Sequence, residues 1–305
     1  MITGAGGFIG RHLLEDIDPR TVDMTVITRD PSRQFPYLPA GTKVVRADLA
    51  DADSLVRAFS GADLILNIAA ELRRPEKMVE TNVEGTKNII RAMKENGVKR
   101  IIHLSSVGVV GAQYSHSPQS VSEETPVSPK NEYERTKLLS EELLKKAAAD
   151  GAFDLAVLRP TNVFGEHHPY HALLNFISRT GNEKVMMHTP GAMVNYVYVK
   201  DLTGAMIRLI DNIDKNGVFN TGDAVSLKEF AAFIADELNV RGKAYTIPLF
   251  LVKFMEMLGV KKLRPVSNAI TYDDRRLKEF YDYPYGVKKG LQRTIAHYKK
   301  QHLLK

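Results

Sequence analysis

The sequence predicts an α/β fold: a doubly wound parallel sheet joined to a smaller C-terminal α/β domain. Three observations carry this. Glycines 4, 7 and 10 separate a short apolar start from a helical pattern. Apolar runs of strand length then alternate with amphipathic runs of helix length through the first half of the chain. The chemistry-bearing residues cluster where the apolar runs end, which is where sheets of this kind bind ligands. The 305 residues suffice for one large domain or two interlocked ones.

The elements follow in order. Thr3-Gly4-Ala5-Gly6-Gly7-Phe8-Ile9-Gly10 has a G-x-x-G-x-x-G spacing, and a helical pattern begins at Arg11. A strand that turns sharply into a helix needs the permissive dihedrals of glycine. A phosphate approaching the N–H groups of a helix N-terminus needs positions without side chains. A plain surface turn would share this spacing, so the downstream pattern decides. Only Met1-Ile2 precede the turn, which implies a trimmed central strand or a sequence that starts inside it. No signal peptide is visible, and the expected location is cytoplasmic.

The next extended run, 24–28, ends at Arg29, where a nucleotide-binding sheet places its ribose-reading residue. An acid there suits a ribose 2′-hydroxyl. Arg29, with Arg33 behind it, suits a 2′-phosphate, so the sequence leans to NADP with NAD as the other option.

Residues 43–47 read as a strand ending at Asp48, 54–60 as a short helix, and 62–68 as a buried strand. Over 76–96, Val79, Val83, Thr86, Ile90 and Met93 recur at helical spacing, and Gly97 is a natural stop. The strand 99–104 ends at Ser105-Ser106. Residues 108–130, rich in Ser, Pro and Gly, read as a long loop. A helix with an apolar face opens near Asn131, and on it Tyr133 and Lys137 stand four apart and share a face. Further helices are expected over 227–238 and 291–298.

Composition removes other classes. There are no cysteines, which excludes disulfides, thiolate catalysis and cysteine-ligated metals. No apolar run approaches the ~20 residues of a membrane span. The best candidate, 247–260, is interrupted by Lys253 and Glu256 and reads as an amphipathic helix of the protein itself, with a membrane-surface role left open. The net charge of +6 is concentrated in late lysine pairs and reads as solvated surface, with no nucleic-acid motif.

Several motifs then occur in a fixed order. They are the glycine turn, Asp48-Leu49, Asn67-x-Ala69-Ala70, Asn82-Val83-x-Gly85-Thr86, Ser105-Ser106, Tyr133-x-x-x-Lys137 and Leu158-Arg159-Pro160-x-x-Val163-x-Gly165. Tyr196-Val197-Tyr198-Val199-x-Asp201 and Phe219-Asn220-x-Gly222 complete the set. In this ordered set the chain resembles the extended short-chain dehydrogenase/reductase family, in its NAD-dependent epimerase/dehydratase branch.

The resemblance implies a Rossmann domain over 1–165, joined by about 190–215, and a mainly substrate-binding domain over 166–305. It implies Ser106, Tyr133 and Lys137 as the catalytic set. The physics agrees: a phenol with a pKa near 10 is a poor base, and a neighbouring ammonium favours its phenolate. The family's active hydroxyl stands five before a glycine, here Gly111, which selects Ser106. Val110 replaces the tyrosine often found before that glycine.

By the same resemblance Gly4, Gly7, Phe8, Ile9 and Gly10 hold the pyrophosphate, and Asp48 and Leu49 flank the adenine. Ala69 and Ala70 line the cofactor channel. Ser105 is a cofactor or backbone contact. Tyr133 and Lys137 also reach the cofactor, and Pro160 and Val163 face the nicotinamide.

Arg73, Arg74, Asn162, His167 and Asn195 are the substrate candidates. Asn195 stands where nucleotide-sugar members commonly carry arginine. The histidines around His167 lack the spacing of a zinc motif, so no metal is expected. A homodimer through the helices carrying Asn82 and Tyr133 is implied. The expected activity is NAD(P)-dependent, on a carbohydrate derivative, most simply nucleotide-sugar epimerisation. The alternatives are an NADPH-dependent reductase of a carbonyl or steroid- or flavonoid-like alcohol, and a non-catalytic NADP sensor.

Overall fold

A computed structural model describes residues 1–32, 35–111, 114–169, 172–183, 185–212, 214–240 and 243–304. In chain order the elements begin β1 (Ile2–Thr3), α1 (Phe8–Asp16), β2 (Thr25–Thr28), β3 (Lys43–Arg46), α2 (Ala52–Ala58), β4 (Leu64–Asn67), α3 (Pro75–Met78), α4 (Gly85–Asn96) and β5 (Arg100–Leu104). They continue with β6 (Gln119–Val121), α5 (Glu132–Ala149), β7 (Asp154–Pro160), β8 (Asn162–Phe164), α6 (Ala172–Glu183), β9 (Val185–His188), β10 (Met193–Tyr198) and α7 (Val199–Asp211). They end with β11 (Gly217–Thr221), β12 (Asp223–Ser226), α8 (Leu227–Leu238), β13 (Lys243–Thr246), α9 (Leu249–Met257), β14 (Ile270–Tyr272), α10 (Arg275–Lys278) and α11 (Gly286–Lys300).

Two compact units result. The first comprises Met1–Ala112, Pro126–Pro160 and Thr203–Phe219, and the second Gln113–Thr125, Thr161–Leu202 and Asn220–Lys305.

The seven-stranded sheet has the order β11-β7-β5-β4-β1-β2-β3. The ladders joining β7, β5, β4, β1, β2 and β3 are all parallel. The order reverses between β1 and β4, so the crevice for a ligand opens beyond the carboxyl ends of these two strands. Helices cover the sheet, which is why its central strands are buried along their length rather than alternating, as in β5. Ile27, Leu55, Phe59, Ile65, Ile89, Met93, Ile101, Leu144 and Val157 form the buried core.

β1 is short but central: Ile2 pairs with Val26 on one side and Leu66 on the other. The Met1 ammonium donates to the Leu64 carbonyl at 2.7 Å. Burial outweighs the pull of Asp63 and lowers its pKa to about 6.

The helix expected over 76–96 is interrupted by a π-helical segment, Val79–Glu84, between α3 and α4. The wider turn leaves the Asn82 carbonyl to side-chain donors, Thr86 Oγ1 at 2.6 Å and Ser140 Oγ at 2.7 Å. α4 stops at Gly97, whose φ of +65° is left-handed.

The second unit holds a three-stranded sheet, β12-β10-β8, and two strand pairs, β13-β9 and β14-β6. Here a correction applies to the loop expected over 108–130. That stretch holds most of a 3₁₀ turn, Val107–Val110, and the strand β6, whose Gln119 pairs in parallel with Ile270. A three-residue strand whose partner lies so far along the chain leaves no local periodicity to read. α8 begins at a capping box between Ser226 and Glu229. Among the described residues no helix is long and apolar enough to cross a membrane.

Candidate active site

The turn from β1 into α1 is built as the glycine spacing requires. Gly4 has φ +75°, and a Cβ there would lie 2.7 Å from the Ala69 nitrogen. A Cβ on Gly10 would lie 2.3 Å from the Gly4 carbonyl oxygen. Gly7 donates to that same carbonyl at 3.0 Å and then stands as the N-cap of α1, with no side chain capping the helix. Backbone therefore meets backbone closely at the positive end of a helix dipole. A cradle that any Cβ would fill, with no side chain over the helix terminus, fits a dinucleotide diphosphate. Phe8 and Ile9 follow directly, at the start of α1.

The other rim residues follow the strand ends. Arg29 is exposed directly after β2, and the neighbouring carboxylate of Asp30 is turned onto Ser32, accepting its backbone N–H at 3.0 Å. Arg33 lies outside the described residues. Asp48 follows β3 and accepts the Ala50 N–H at 3.1 Å. Leu49 packs against the core and its carbonyl accepts from the Asn88 amide at 2.7 Å. The Ala69 N–H donates to Thr3 Oγ1 at 3.2 Å, and Ala70 is half-buried next to it.

Beneath this rim runs a buried polar row across three strands. Thr3 Oγ1 donates to Asn67 Oδ1 at 2.8 Å, and the Asn67 amide donates to His103 Nδ1 at 3.0 Å. The three residues are in register on β1, β4 and β5. Burial, reinforced by the Lys137 charge, holds the His103 pKa well below its ordinary value, so the ring is neutral.

The catalytic candidates converge on the end of β5. Ser106 is half-buried, and its Oγ accepts the Gly108 N–H at 3.0 Å, capping the 3₁₀ turn. Ser105 before it is buried. α5 starts at Asn131, whose side chain accepts the Glu134 N–H at 2.9 Å and sets the helix origin. Tyr133 is half-buried in the first turn of α5, and that helix packs against the 3₁₀ turn opened by Ser106.

Lys137 is one turn further along, only 2 % exposed, and its ammonium donates to the Leu104 carbonyl, two residues before Ser106. Burial lowers the Lys137 pKa to about 8, against an opposing pull from Glu141. It is therefore mostly protonated at neutral pH yet poorly solvated. That is the state in which an ammonium acts most strongly on a nearby phenol.

Glu141 went unnoticed in the sequence. It is fully buried and bridges Arg159 through two bonds, at 2.9 and 2.7 Å, with Lys145 at 2.9 Å. Burial pushes its pKa up, but the Arg159 hydrogen bonds and charge prevail and bring it to about 2. The signal was present: Tyr133, Lys137 and Glu141 stand at i, i+4 and i+8 on one helix face. Asn82, in the sequence a motif residue, has a structural role as well. Its side chain exchanges hydrogen bonds with the Glu71 backbone at 2.7 and 3.0 Å and donates to Thr136 Oγ1 at 3.0 Å, tying the end of β4 to α5.

The substrate candidates are not gathered in this way. Arg74 pairs with Glu71, Nε to Oε2 at 2.9 Å. Burial pushes the Glu71 carboxyl up, but N–H donors from Arg73 and Arg74 and the Arg74 charge bring it to about 2. Arg74 is thus already matched by an anion of the chain, and Arg73 is exposed beside it. Pro160 is buried at the end of β7, and Val163 pairs with Val197 in β10.

In the second unit Asn162 donates to the Asn195 carbonyl at 3.1 Å. The buried Asn195 amide donates to the Ile270 carbonyl at 2.9 Å. His167, at φ +63°, stacks edge-on with His297. Among the described residues no group of three side chains is arranged to hold a metal ion.

A glycine turn into a helix at the switch point, with Ser106, Tyr133 and Lys137 grouped around the end of β5, is the arrangement expected of a nicotinamide-dinucleotide-dependent enzyme of the short-chain dehydrogenase type. A family model described as NAD dependent epimerase/dehydratase family matches residues 1–222. The chain belongs to this family.

The chain is 28% identical over 330 residues to N-acetyl-alpha-D-glucosaminyl-diphospho-ditrans,octacis-undecaprenol 4-epimerase of Escherichia coli O157:H7, with 97% of this chain and 94% of the relative covered. It is 30% identical over 234 residues to cinnamoyl-CoA reductase 1 of Oryza sativa subsp. japonica, covering 71% of this chain and 68% of that one. Among solved structures, the UDP-glucose 4-epimerase of Thermus thermophilus in complex with NAD superposes with a TM-score of 0.72 at 21% identity, over 98% of both chains.

Proposed function

We propose that the protein is a nucleotide-sugar epimerase. The observation that carries its chemistry is the buried Lys137 ammonium at the end of β5, one helical turn from Tyr133 and bound to the carbonyl two residues before Ser106. Tyr133, as phenolate, takes the proton of a sugar hydroxyl and returns it after the carbonyl has presented its other face. Ser106 donates to the same oxygen and orients it. Lys137 keeps the phenol acidic enough to act near neutral pH. The bound nicotinamide supplies the hydride acceptor and donor. Epimerisation is preferred because the sugar 4-epimerase relative is matched over 97% of this chain and 94% of its own length, whereas the cinnamoyl-CoA reductase is matched over 71% and 68%, and a 3beta-hydroxysteroid-dehydrogenase/decarboxylase over 97% of this chain but 61% of its own length.

The test is incubation of the purified protein with UDP-glucose or UDP-N-acetylglucosamine. The expected result is the 4-epimer without net change in reduced nicotinamide. Stoichiometric consumption of NADPH on a carbonyl substrate, with no epimer formed, would favour the reductase reading, toward which Asn195 and Arg29 point.

NADP is assigned as the cofactor from the exposed Arg29 after β2, and Arg29→Glu is expected to reverse the preference for NADP over NAD in binding titrations. The second unit is assigned the substrate-binding role, with Asn162, His167 and Asn195 as its candidates. The proposed assembly is a homodimer through α4 and α5, measurable by sedimentation. The proposed location is the cytoplasmic compartment, free or held at its membrane surface, measurable by protease protection in intact cells.

A further inference from the structure

One surface of the second unit serves neither the cradle nor the catalytic set. Twelve large apolar side chains are exposed among the described residues, and eight of them fall on β9, β13 and the segment of α9 through its C-cap. They are Met187 and Tyr245, which face each other in register across β9 and β13, and Phe250, Leu251, Phe254, Met255, Met257 and Leu258. Phe250, Leu258 and Met257 are 68%, 62% and 77% exposed. Scattered apolar side chains on a surface need no explanation, but six on one helix, with two more on the strand pair that precedes it in the chain, do.

On a helical projection the six α9 residues span an arc of roughly 160°. The opposite side holds the helix to the protein. Val252 is fully buried there, and Glu256 accepts from His116 at 2.8 Å and from Arg264 at 2.9 Å. Lys253 is exposed at the margin of the arc. Lys261, Lys262 and Arg264 follow directly in the chain, and Glu256 is the single acid between Tyr245 and Arg264. That carboxylate is engaged on the inner side. The outward face is therefore apolar, and the charges that border it in sequence are cations.

We propose that this face docks the protein on an anionic membrane surface, with α9 lying in the interface plane. The charge pattern selects this occupant. A second copy meeting the same face through a two-fold axis would bring the exposed Lys253 near its own counterpart, which opposes association. A groove typically reads anchors at i, i+3, i+4 and i+7 along a narrow stripe, whereas the exposed apolar arc of α9 is roughly 160° wide and is backed by Val252 and Glu256 on the inner side. A planar surface of anionic headgroups takes a helix embedded by half, with apolar side chains below and Lys253 at headgroup level. The inference is independent of the reaction the enzyme catalyses.

The test is flotation of the full-length protein with vesicles of phosphatidylcholine alone or containing phosphatidylglycerol. Binding is expected only to the anionic vesicles, falling as salt is raised. Phe250→Ser/Met257→Ser/Leu258→Ser, at exposed positions, should weaken partitioning at least ~10-fold, and Lys253→Glu by several-fold or more, given about fivefold per cation. Dinucleotide affinity, governed by the other unit, serves as the folding control and should stay at its wild-type value. Equal binding to neutral vesicles, no binding to either, or variants that float like the wild type would overturn the proposal. So would a solution mass that halves in the triple variant, since the face would then be a contact between copies.

Discussion

Glu141 offers the sharpest test of how the lysine is held. Its carboxylate is fully buried, and the Arg159 side chain that it bridges is 2% exposed. The geometry is bidentate, at 2.9 and 2.7 Å. Exposed ion pairs contribute about 0–1 kcal/mol. Removing one partner of a buried pair strands the other charge and costs about 3–5 kcal/mol. Glu141→Leu should therefore remove about that much from a total that is typically about 5–15 kcal/mol. Arg159→Leu should cost a comparable amount. The double variant should be far less damaged than the sum, because no orphaned charge remains.

The assay is urea unfolding of the four proteins, read as a double-mutant cycle with an expected coupling of about 3 kcal/mol. A second readout follows from the charge on Lys137. Glu141 favours its protonated form, so Glu141→Gln should move the alkaline limb of the activity profile below its wild-type position near pH 8. Single variants that cost under about 1 kcal/mol, or strictly additive losses, would refute the reasoning.

Two further outcomes are expected. Gly10→Ala, with its Cβ 2.3 Å from the Gly4 oxygen, should weaken dinucleotide binding at least ~10-fold in fluorescence titration. Gly61→Ala, at φ +73° with nothing within 4 Å, should leave binding intact and cost only about 1 kcal/mol of stability. The second concerns pH. Folded Lys137 releases its proton near pH 8, and the unfolded chain near its ordinary 10.5. Between these values the unfolded state binds more protons, so stability contributed by this group rises with pH, by about 3 kcal/mol over the window. Denaturant titrations of wild type and Lys137→Met at pH 8 and 10.5 should show the stability difference between the two moving in favour of the wild type by about this amount, since the buried tyrosines that also titrate there are common to both.

Much of this architecture was legible because local pattern and global fold agree. The glycine turn, the apolar strands and the Tyr133–Lys137 spacing each follow from one periodicity or one steric demand. What escaped was set by tertiary contact. The π segment at Asn82 reflects partners arriving from α5, Ser140 donating to the Asn82 carbonyl and Thr136 accepting from its amide, which no spacing on the earlier helix announces. β6 exists because 270–272 pairs with it. The Glu141–Arg159 pair joins residues eighteen apart, and burial alone distinguishes it from a surface pair. Arg74 looked available for an anion because its match with Glu71 depends on the turn after β4.

The central claim is that Tyr133, acidified by the buried Lys137 ammonium, moves the proton of the reaction. Single-turnover rates of Tyr133→Phe, with dinucleotide affinity measured on the same protein, test it most directly. The expected result is a rate at least ~10²-fold below the wild type with cofactor binding unchanged. A rate within about threefold of the wild type would place the proton transfer on another residue and contradict the account.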